Sequence, residues 1–265
     1  MNVVSFPRLS LTFELSPVAF KIPVINISVH WYGIIIALGL LLGLLFVTHV
    51  AKKQGLDADT ITDMLLFAVP TAIIGARVYY VVFKWDDYKD NFADVFKIWE
   101  GGIAIYGAVI AAVITALVFF RVKKMNPLPY FDVCSLGLLI GQAIGRWGNF
   151  VNGEAHGGPT DWIVGMTING SEAVHPTFLY ESLWNVAGFF LLYALYRHRR
   201  ADGIGFANYL IWYAAGRFFI EGLRTDSLYA GSFRISQIVA LVSIVAGVVI
   251  YACVYFKNKK KGSLN

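Results

Sequence analysis

Residues 145–157 bring four polar side chains of chemical interest together, directly after a long apolar run. These side chains lie within nine positions and are interspersed with glycines: Arg146, Asn149, Asn152 and Glu154. At the centre of a membrane helix an arginine costs roughly 2.5–3.5 kcal/mol, so it needs an acidic partner, a watery cavity or an anionic ligand. A polar turn that caps a helix, with Arg146 reaching the interface along its apolar stem, is the alternative interpretation.

A second polar stripe surrounds residue 217. Tyr213, Arg217 and Glu221 recur at every fourth position, a spacing that puts their side chains on one face of a helix. An ion pair that only stabilises a helix bundle would explain Arg217 and Glu221 as well, because a buried pair by itself is weak support for function. Arg77 lies in a third apolar run and has no acidic residue close to it in the sequence.

Arginines inside apolar segments favour one chemistry in particular. A guanidinium group binds a phosphate through two parallel hydrogen bonds. We therefore expect Arg77, Arg146 and Arg217 to face an anionic headgroup, with Glu154 and Glu221 orienting the arginines. The sequence shows neither a P-loop nor a metal-ligand motif, and we expect no cofactor and no metal.

The composition is typical of a protein with several membrane-spanning helices. Of the 265 residues, 57% are hydrophobic and only 15% are charged, against about 25% charged in a soluble domain. The net charge of +5 is modest, and the basic residues cluster at the ends of apolar runs, which argues for membrane orientation rather than nucleic-acid binding. We expect a single integral membrane domain over residues 1–265.

Seven apolar runs have the length of about 17–25 residues that a bilayer-spanning helix needs. The predicted fold is therefore an all-α polytopic membrane protein. Its spans are predicted at about residues 30–50, 61–83, 103–121, 131–149, 178–196, 204–222 and 235–256.

Basic residues set the predicted orientation of these spans. They follow the first, third, fifth and seventh spans, at 52–53, 121–124, 197–200 and 257–261. By the positive-inside rule these connectors are cytoplasmic, so the N-terminus lies outside and the C-terminus inside. With a rise of about 1.5 Å per residue, the three arginines then fall roughly within 10 Å of the outer boundary.

The outer connectors are the long ones. Residues 84–102 and 150–177 predict a small extracytoplasmic head, and Asn169-Gly170 within the second predicts a tight hairpin turn. Residues 1–28 contain three prolines and predict an amphipathic or irregular segment on one membrane surface.

Polar aromatic residues stand where three spans begin on the outer side. Tyr32 opens the first span, Tyr106 the third, and His175 with Tyr180 the fifth. Each of them alone is more often an interfacial anchor than a catalytic group.

Together these residues resemble the prolipoprotein diacylglyceryl transferase family of bacterial inner membranes. Residues 145–157 match the family signature G-R-x-G-N-F-x-N-x-E-x-x-G at every fixed position. Further likenesses lie in residues 31–33, in residues 175–181 and in the stripe from Tyr213 to Arg224, so the resemblance covers nearly the whole chain.

The resemblance implies a reaction and its partners. Members transfer the diacylglyceryl group of phosphatidylglycerol to the lipobox cysteine thiol of a preprolipoprotein, which gives a thioether and releases glycerol phosphate. It further implies a multi-pass protein of the bacterial plasma membrane whose site faces the outer leaflet. The lipid bilayer and the signal peptide of the precursor would be its partners, and nucleic acid would not.

The resemblance also implies roles for residues. Arg146 and Arg217 would bind the headgroup, with Asn149, Glu154 and Glu221 as essential polar neighbours. We expect a catalytic set that also includes Tyr106. We expect a binding set made of the following residues: Tyr32, Arg77, Arg146, Asn149, Asn152 and Tyr213.

One departure from the family bears on the chemistry. Some members carry a histidine where this chain has Tyr106, and a phenol is a poor base at neutral pH. The thiol must nevertheless become a thiolate, because the thiolate is the nucleophile. Glu154 or Glu221 could relay the proton, and the sequence leaves open which of the two carboxylates, if either, is the base.

Two other classes of protein remain as alternatives. A transporter or receptor for an anionic solute would also use outer-facing arginines, although the sequence shows no inverted repeat. A structural membrane subunit would not explain three arginines in one outer layer.

Overall fold

The computed structural model describes residues 1–23 and 27–262, with the side chains at 100 and 260–262 left out. It contains seven long helices, and this confirms the prediction of a mostly helical polytopic protein. They are α1 (Trp31–Lys53), α2 (Ala58–Phe83), α3 (Ile105–Val122), α4 (Leu128–Asn152), α5 (Thr177–Arg197), α6 (Ile204–Glu221) and α7 (Ile235–Gly262). The ends lie within three residues of the predicted spans, except that α7 continues six residues further.

Six of these seven helices are long and apolar enough to cross a membrane, among the described residues. The helix outside that group is α6, which has 18 residues and carries Arg217 and Glu221. Polar side chains lower its hydropathy, and these are the side chains on which the functional prediction rests.

The N-terminal residues differ from the prediction of an amphipathic or irregular segment. They form the strands β1 (Asn2–Phe6), β2 (Leu11–Leu15), β3 (Val18–Ile22) and β4 (Ile27–His30), while residues 24–26 lie outside the described residues. The central strand β1 pairs antiparallel with β2 on one side and with β5 (Thr167–Ile168) on the other. Side chains of a strand alternate between two faces, and β1 buries Val4 and Phe6 on one of them.

The strands and the 150–177 connector share one small core. Val4 and Phe6 pack there with Phe150, Met166 and Phe178. The predicted head of the 150–177 connector therefore includes the N-terminal hairpin, which the sequence did not indicate.

The hairpin turn predicted at Asn169-Gly170 is confirmed. Asn169 has φ +52° and Gly170 has φ +75°, the left-handed conformations that a tight hairpin turn requires. The Ser171 amide closes the turn on the Ile168 carbonyl at 3.0 Å, and Met166 pairs with Val174 beyond it.

The chain divides into two compact units. The first comprises Met1–Val47 and Phe131–Asn265, and the second comprises Thr48–Tyr130. In the second unit α2 and α3 pack closely at Gly75 and Gly107, where an added Cβ on either glycine would overlap the backbone of the other. Small residues allow this close approach between apolar helices.

In the first unit two tryptophans fix the register between α5 and α6. The Trp184 and Trp212 rings stack with centroids 4.4 Å apart, and each indole N–H donates to the other residue's carbonyl at 3.0 and 3.1 Å. Gly188 and Gly216 make room for the rings, since a Cβ on either would overlap an indole. This contact brings the C-terminal half of α6 alongside the first turns of α5.

A carboxylate of α4 caps the beginning of α6. Asp132 is fully buried and accepts hydrogen bonds from the backbone N–H groups of Gly203 at 2.8 Å and Phe206 at 2.7 Å. These donors belong to the first turn of α6, which has no earlier carbonyls to bond. Arg199 lies 3.6 Å from the same carboxylate. The cap joins α4 to α6 at the end opposite Arg146 and Arg217.

We expect Asp132→Ala to lower the free energy of unfolding by about 2–4 kcal/mol, because it removes two charge-assisted hydrogen bonds and the counter-charge of Arg199. Thermal or denaturant unfolding of the detergent-solubilised protein measures the loss. Asp63→Ala is the control, since Asp63 forms a half-exposed ion pair with Lys123 at 3.3 Å and should contribute about 1 kcal/mol or less. Equal losses in the two variants would contradict the importance of the cap.

Candidate functional site

A carboxylate at the centre of the first unit joins two of the predicted arginines. Glu181 on α5 is only 4% exposed. Its Oε2 lies 2.5 Å from Arg146 Nη2, and its Oε1 lies 2.6 Å from Arg217 Nη1. An ionised carboxylate at this depth is stable only when it is paired, and here one carboxylate holds a guanidinium from α4 and another from α6.

The stripe predicted on α6 is present. Arg217 Nη2 lies 2.6 Å from Glu221 Oε2, one helical turn further along α6. Glu221 is almost fully buried, and its backbone carbonyl accepts a hydrogen bond from the guanidinium of Arg234. Arg217 is therefore held by a carboxylate on each of two helices.

A third guanidinium borders the same carboxylate. Arg224 Nη1 lies 3.7 Å from Glu181 Oε1, while its Nε and Nη2 donate to Asp226 at 2.9 and 2.6 Å. Burial, the largest single effect, raises the pKa of the Asp226 carboxyl. The hydrogen bonds and the positive charge of Arg224, with smaller contributions from a backbone hydrogen bond and His156, together outweigh it and hold the pKa below its usual value. The Arg224–Asp226 pair is therefore ionised at neutral pH.

Counted over all its side chains, the cluster carries one positive charge in excess. The guanidinium groups of Arg146, Arg217 and Arg224 meet the carboxylates of Glu181, Glu221 and Asp226, and a fourth guanidinium, that of Arg234, meets the backbone carbonyl of Glu221. The side chains of Arg146 and Arg217 stay 22% and 19% exposed, so a ligand can reach both. The cluster is therefore suited to an anion that can meet two guanidinium groups at once.

A chain of amides leads from the cluster to a third glutamate. Asn149 Oδ1 lies 3.5 Å from Arg146 Nη1, and the Asn149 side-chain amide donates to Glu154 Oε1 at 3.1 Å. The Asn152 amide donates to the same oxygen at 3.1 Å. In the described part of the chain Glu154 forms no ion pair, and it is exposed. It is thus the carboxylate of the site that arginines do not neutralise.

The backbone after α4 explains this placement of Glu154. The helix ends at Asn152, and Gly153 follows with φ +65°, a left-handed conformation that ends many helices. The Glu154 N–H then bonds back to the Asn149 carbonyl at 3.1 Å. The Asn2 side chain holds the Asn152 carbonyl at 2.8 Å, which ties the turn to β1.

Two predicted aromatic residues belong to the same unit. Tyr32, near the start of α1, packs its ring against Gly148, two residues beyond Arg146, and an added Cβ there would overlap the ring. Tyr213 lies one turn before Arg217 on α6 and stacks on Tyr209 with centroids 5.8 Å apart. The structure thus gathers most of the predicted residues in one unit: Tyr32, Arg146, Asn149, Asn152, Glu154, Tyr213, Arg217 and Glu221.

The other two predicted residues lie in the second unit. The Arg77 guanidinium donates to four backbone carbonyls at 2.6–2.8 Å, and Tyr88 lies beside it at 5.1 Å. These carbonyls belong to the following residues of the 84–102 connector: Asp94, Val95, Gly101 and Gly102. Arg77 thereby fastens this connector to α2. Tyr106 stands in the first turn of α3, 6.5 Å from Tyr79 between ring centroids.

Four members of the cluster were not among the predicted site residues. They are Glu181, Arg224, Asp226 and Arg234. Glu181 could have been predicted as a site residue, because it lies in the first turns of a predicted span. A glutamate there needs a basic partner, as an arginine there needs an acidic one. The pairing itself depends on the register between α5 and α6, which no local pattern reveals.

The cluster has the parts for displacing an anionic leaving group. Fixed guanidinium groups stabilise charge that develops on a phosphate during a reaction. A nearby exposed carboxylate can take a proton. In the described residues no group of three or more His, Cys, Asp or Glu side chains is arranged to hold a metal ion.

Comparison with known proteins finds one family. A family model described as prolipoprotein diacylglyceryl transferase matches residues 17–253. A phosphatidylglycerol–prolipoprotein diacylglyceryl transferase of Listeria monocytogenes serotype 4a is 47% identical over 268 residues, covering 94% of this chain and 96% of that protein. Proteins of the same name from Geobacillus kaustophilus and Bacillus velezensis are 46% and 44% identical, covering 85% and 94% of this chain and 88% and 93% of their own lengths.

Proposed function

The chain belongs to the prolipoprotein diacylglyceryl transferase family, and we propose that it transfers the diacylglyceryl group of phosphatidylglycerol to the lipobox cysteine of a prolipoprotein. The observation that carries the proposal is the pair of arginines, Arg146 and Arg217, held together by Glu181. A phosphodiester can bind both guanidinium groups, and the helices that carry them are fixed to one another. The protein would act in the bacterial plasma membrane, with the site toward the outer leaflet.

The reaction is a displacement at the glycerol carbon that bears the phosphate. The cysteine S–H bond breaks, and the sulfur attacks that carbon to form a C–S bond. The C–O bond to phosphate breaks in the same step, and its electron pair leaves on the oxygen of glycerol phosphate. Arg146 and Arg217 would stabilise this departing charge, since donors fixed in advance need no rearrangement during the reaction.

Glu154 is the carboxylate best placed to receive the thiol proton. Glu181 and Glu221 are buried and contact arginines at 2.5–2.6 Å, so their charge is neutralised. Glu154 accepts only from the amides of Asn149 and Asn152 among the described residues, and it is exposed. Tyr32, Arg77, Tyr106 and Tyr213 stay predicted contributors to the site.

We expect Glu154→Gln to lower kcat by about 100-fold or more, which is the usual effect of losing a general base. Glutamine keeps an oxygen that can accept from both asparagines, so the turn should stay intact. Steady-state transfer to a lipobox peptide gives kcat, and KM for the lipid should change little.

A selenocysteine peptide separates proton transfer from structure. A selenol ionises at neutral pH without a base, so it should recover most of the lost rate in Glu154→Gln. The Glu172→Gln variant, in the same head but outside the cluster, serves as the control and should transfer at the normal rate. A Glu154→Gln enzyme that is equally slow with both peptides would show that Glu154 does not accept the proton.

The proposed activity itself has a direct test. The purified protein is incubated with phosphatidylglycerol vesicles and a peptide that contains a lipobox cysteine. A mass gain of one diacylglyceryl group on the cysteine, with release of glycerol phosphate, supports the transferase. Uptake of an anionic solute by proteoliposomes without any mass gain would instead indicate a transporter.

A further inference from the structure

Two amide side chains lie one helical turn away from the arginine cluster, and the oxygen atom of each amide lacks a hydrogen-bond partner among the described residues. Gln142 Oε1 and Asn185 Oδ1 are buried without a hydrogen-bond partner among the described residues. Asn185 is only 1% exposed. Leaving a buried amide oxygen unpaired is costly, and most such groups in folded proteins do have a partner.

The helix geometry places these amides at one level. Gln142 lies four residues before Arg146 on α4, and Asn185 lies four residues after Glu181 on α5. Since α4 and α5 run in opposite directions here, both steps lead the same way along the bundle, about 6 Å at 1.5 Å per residue. The Ser182 hydroxyl donates to the Ala143 carbonyl at 2.9 Å and joins the two helices at this level.

The third helix contributes to the same layer. Gln142 donates its amide N–H to the Tyr209 hydroxyl at 2.9 Å. Tyr209 stacks on Tyr213, which lies one turn before Arg217. The polar surface shared by α4, α5 and α6 therefore extends one turn beyond the charged cluster. In this second layer the polar groups are amides and phenols, which carry no charge.

We propose that Gln142 and Asn185 recognise the ester groups of the lipid whose phosphate meets Arg146 and Arg217. In a phosphoglyceride only a few covalent bonds separate the phosphate from the ester carbonyls. The distance between the two groups is therefore comparable to the rise of one helical turn, about 5.4 Å. The unpaired oxygens cannot bond an ester carbonyl themselves, because both groups are acceptors. A half-turn of the amide puts its N–H group in the place of the oxygen, where it can donate to the ester, and the Gln142 oxygen then accepts from the Tyr209 hydroxyl. Uncharged donors suit this position because the esters carry no charge.

This assignment rests on the proposed function, since it states which part of the lipid substrate the amides of Gln142 and Asn185 bind. It also gives the amides a role in a layer where apolar side chains would pack without leaving an unpaired oxygen. An ordered water between the two amides is the competing explanation, and it involves no recognition of the lipid.

The test compares diester phosphatidylglycerol with its dialkyl ether analogue, which has the same headgroup and lacks the two carbonyl oxygens. Binding to the purified wild-type protein is measured without peptide, by the lipid-induced shift in thermal unfolding. We expect the diester to bind more tightly, by about three- to tenfold for each amide involved. Equal binding of the two lipids by the wild-type protein would overturn the proposal and favour the ordered water.

Two variants test whether a preference for the diester lipid comes from the amides of Gln142 and Asn185. The double variant Gln142→Met and Asn185→Leu keeps the side-chain volumes and should bind both lipids alike. Gln237→Leu is the matched control, because Gln237 on α7 donates its amide to the Phe218 carbonyl at 3.1 Å, and it should keep the preference. A double variant that still prefers the diester would overturn the assignment.

The transfer assay keeps the two proposals apart. If the wild-type protein prefers the diester but adds no lipid to the peptide, the ester assignment stands and the transferase proposal fails. If it transfers the lipid but binds both analogues equally, the transferase proposal stands and the ester assignment fails.

Discussion

Arg146→Lys is expected to lower the rate of diacylglyceryl transfer by about 100- to 1000-fold, the usual cost of losing a fixed donor at a developing charge. Lysine keeps the positive charge beside Glu181, so the bundle should still assemble. It cannot, however, pair with Glu181 and present a second N–H to a phosphate in the fixed geometry of a guanidinium. The loss should appear in kcat more than in KM, because the interaction is needed most when charge gathers on the leaving group.

The measurement is steady-state transfer in mixed micelles, combined with an unfolding curve for each variant. Arg121→Lys is a matched control, since Arg121 is an exposed residue in the last turn of α3 and the same exchange there should leave the rate unchanged. A lysine variant at 146 with normal kcat would mean that a point charge suffices and that Arg146 does not bind the phosphate bidentately.

The helices could be predicted from the sequence because their cause is local. Each span is a continuous apolar run whose length matches a bilayer, and basic residues or prolines mark its ends. The N-terminal strands could not, because β1 is stabilised by pairing with β5, more than 150 residues away. A short segment with prolines gives no local sign of such a partner.

The site was predictable to the extent that its contacts follow helix periodicity. The Arg217–Glu221 pair is one turn apart on a single helix, and the structure shows it at 2.6 Å. Arg146 and Arg217 could be identified as polar exceptions in apolar runs. Their common partner Glu181 could not be assigned, because that contact depends on the register between three helices.

Arg77 shows a different limit. The sequence contains no acidic partner for it, and the structure supplies four backbone carbonyls instead. Every residue has a backbone carbonyl, so no residue type in the sequence indicates which carbonyls will bind an arginine. The predicted roles of Arg77 and Tyr106, the orientation of the helices and the single domain stay predictions.

Glu181→Gln is expected to lower the free energy of unfolding by about 3–5 kcal/mol and to abolish transfer, because it removes one buried charge shared by two partly buried guanidinium groups. Glutamine has nearly the same shape, so the loss comes from charge and not from packing. Glu221→Gln is the comparison, since the Glu221 carboxylate meets one guanidinium group, whereas the Glu181 carboxylate meets two at 2.5–2.6 Å and borders a third at 3.7 Å. The loss of stability in Glu221→Gln should therefore be smaller. Denaturant unfolding and the transfer assay measure the two effects separately.

A second substitution distinguishes a charge defect from a general loss of fold. Removing both members of a buried pair is much less harmful than removing one, so Arg146→Met introduced into Glu181→Gln should recover part of the lost stability. It should recover no transfer, because the phosphate would then have lost one of its two guanidinium groups. A double variant as unstable as the sum of its single variants would show that Glu181 and Arg146 are not energetically coupled. Coupling in stability would instead show that Glu181 and Arg146 stabilise each other, as expected if Glu181 holds this arginine in place.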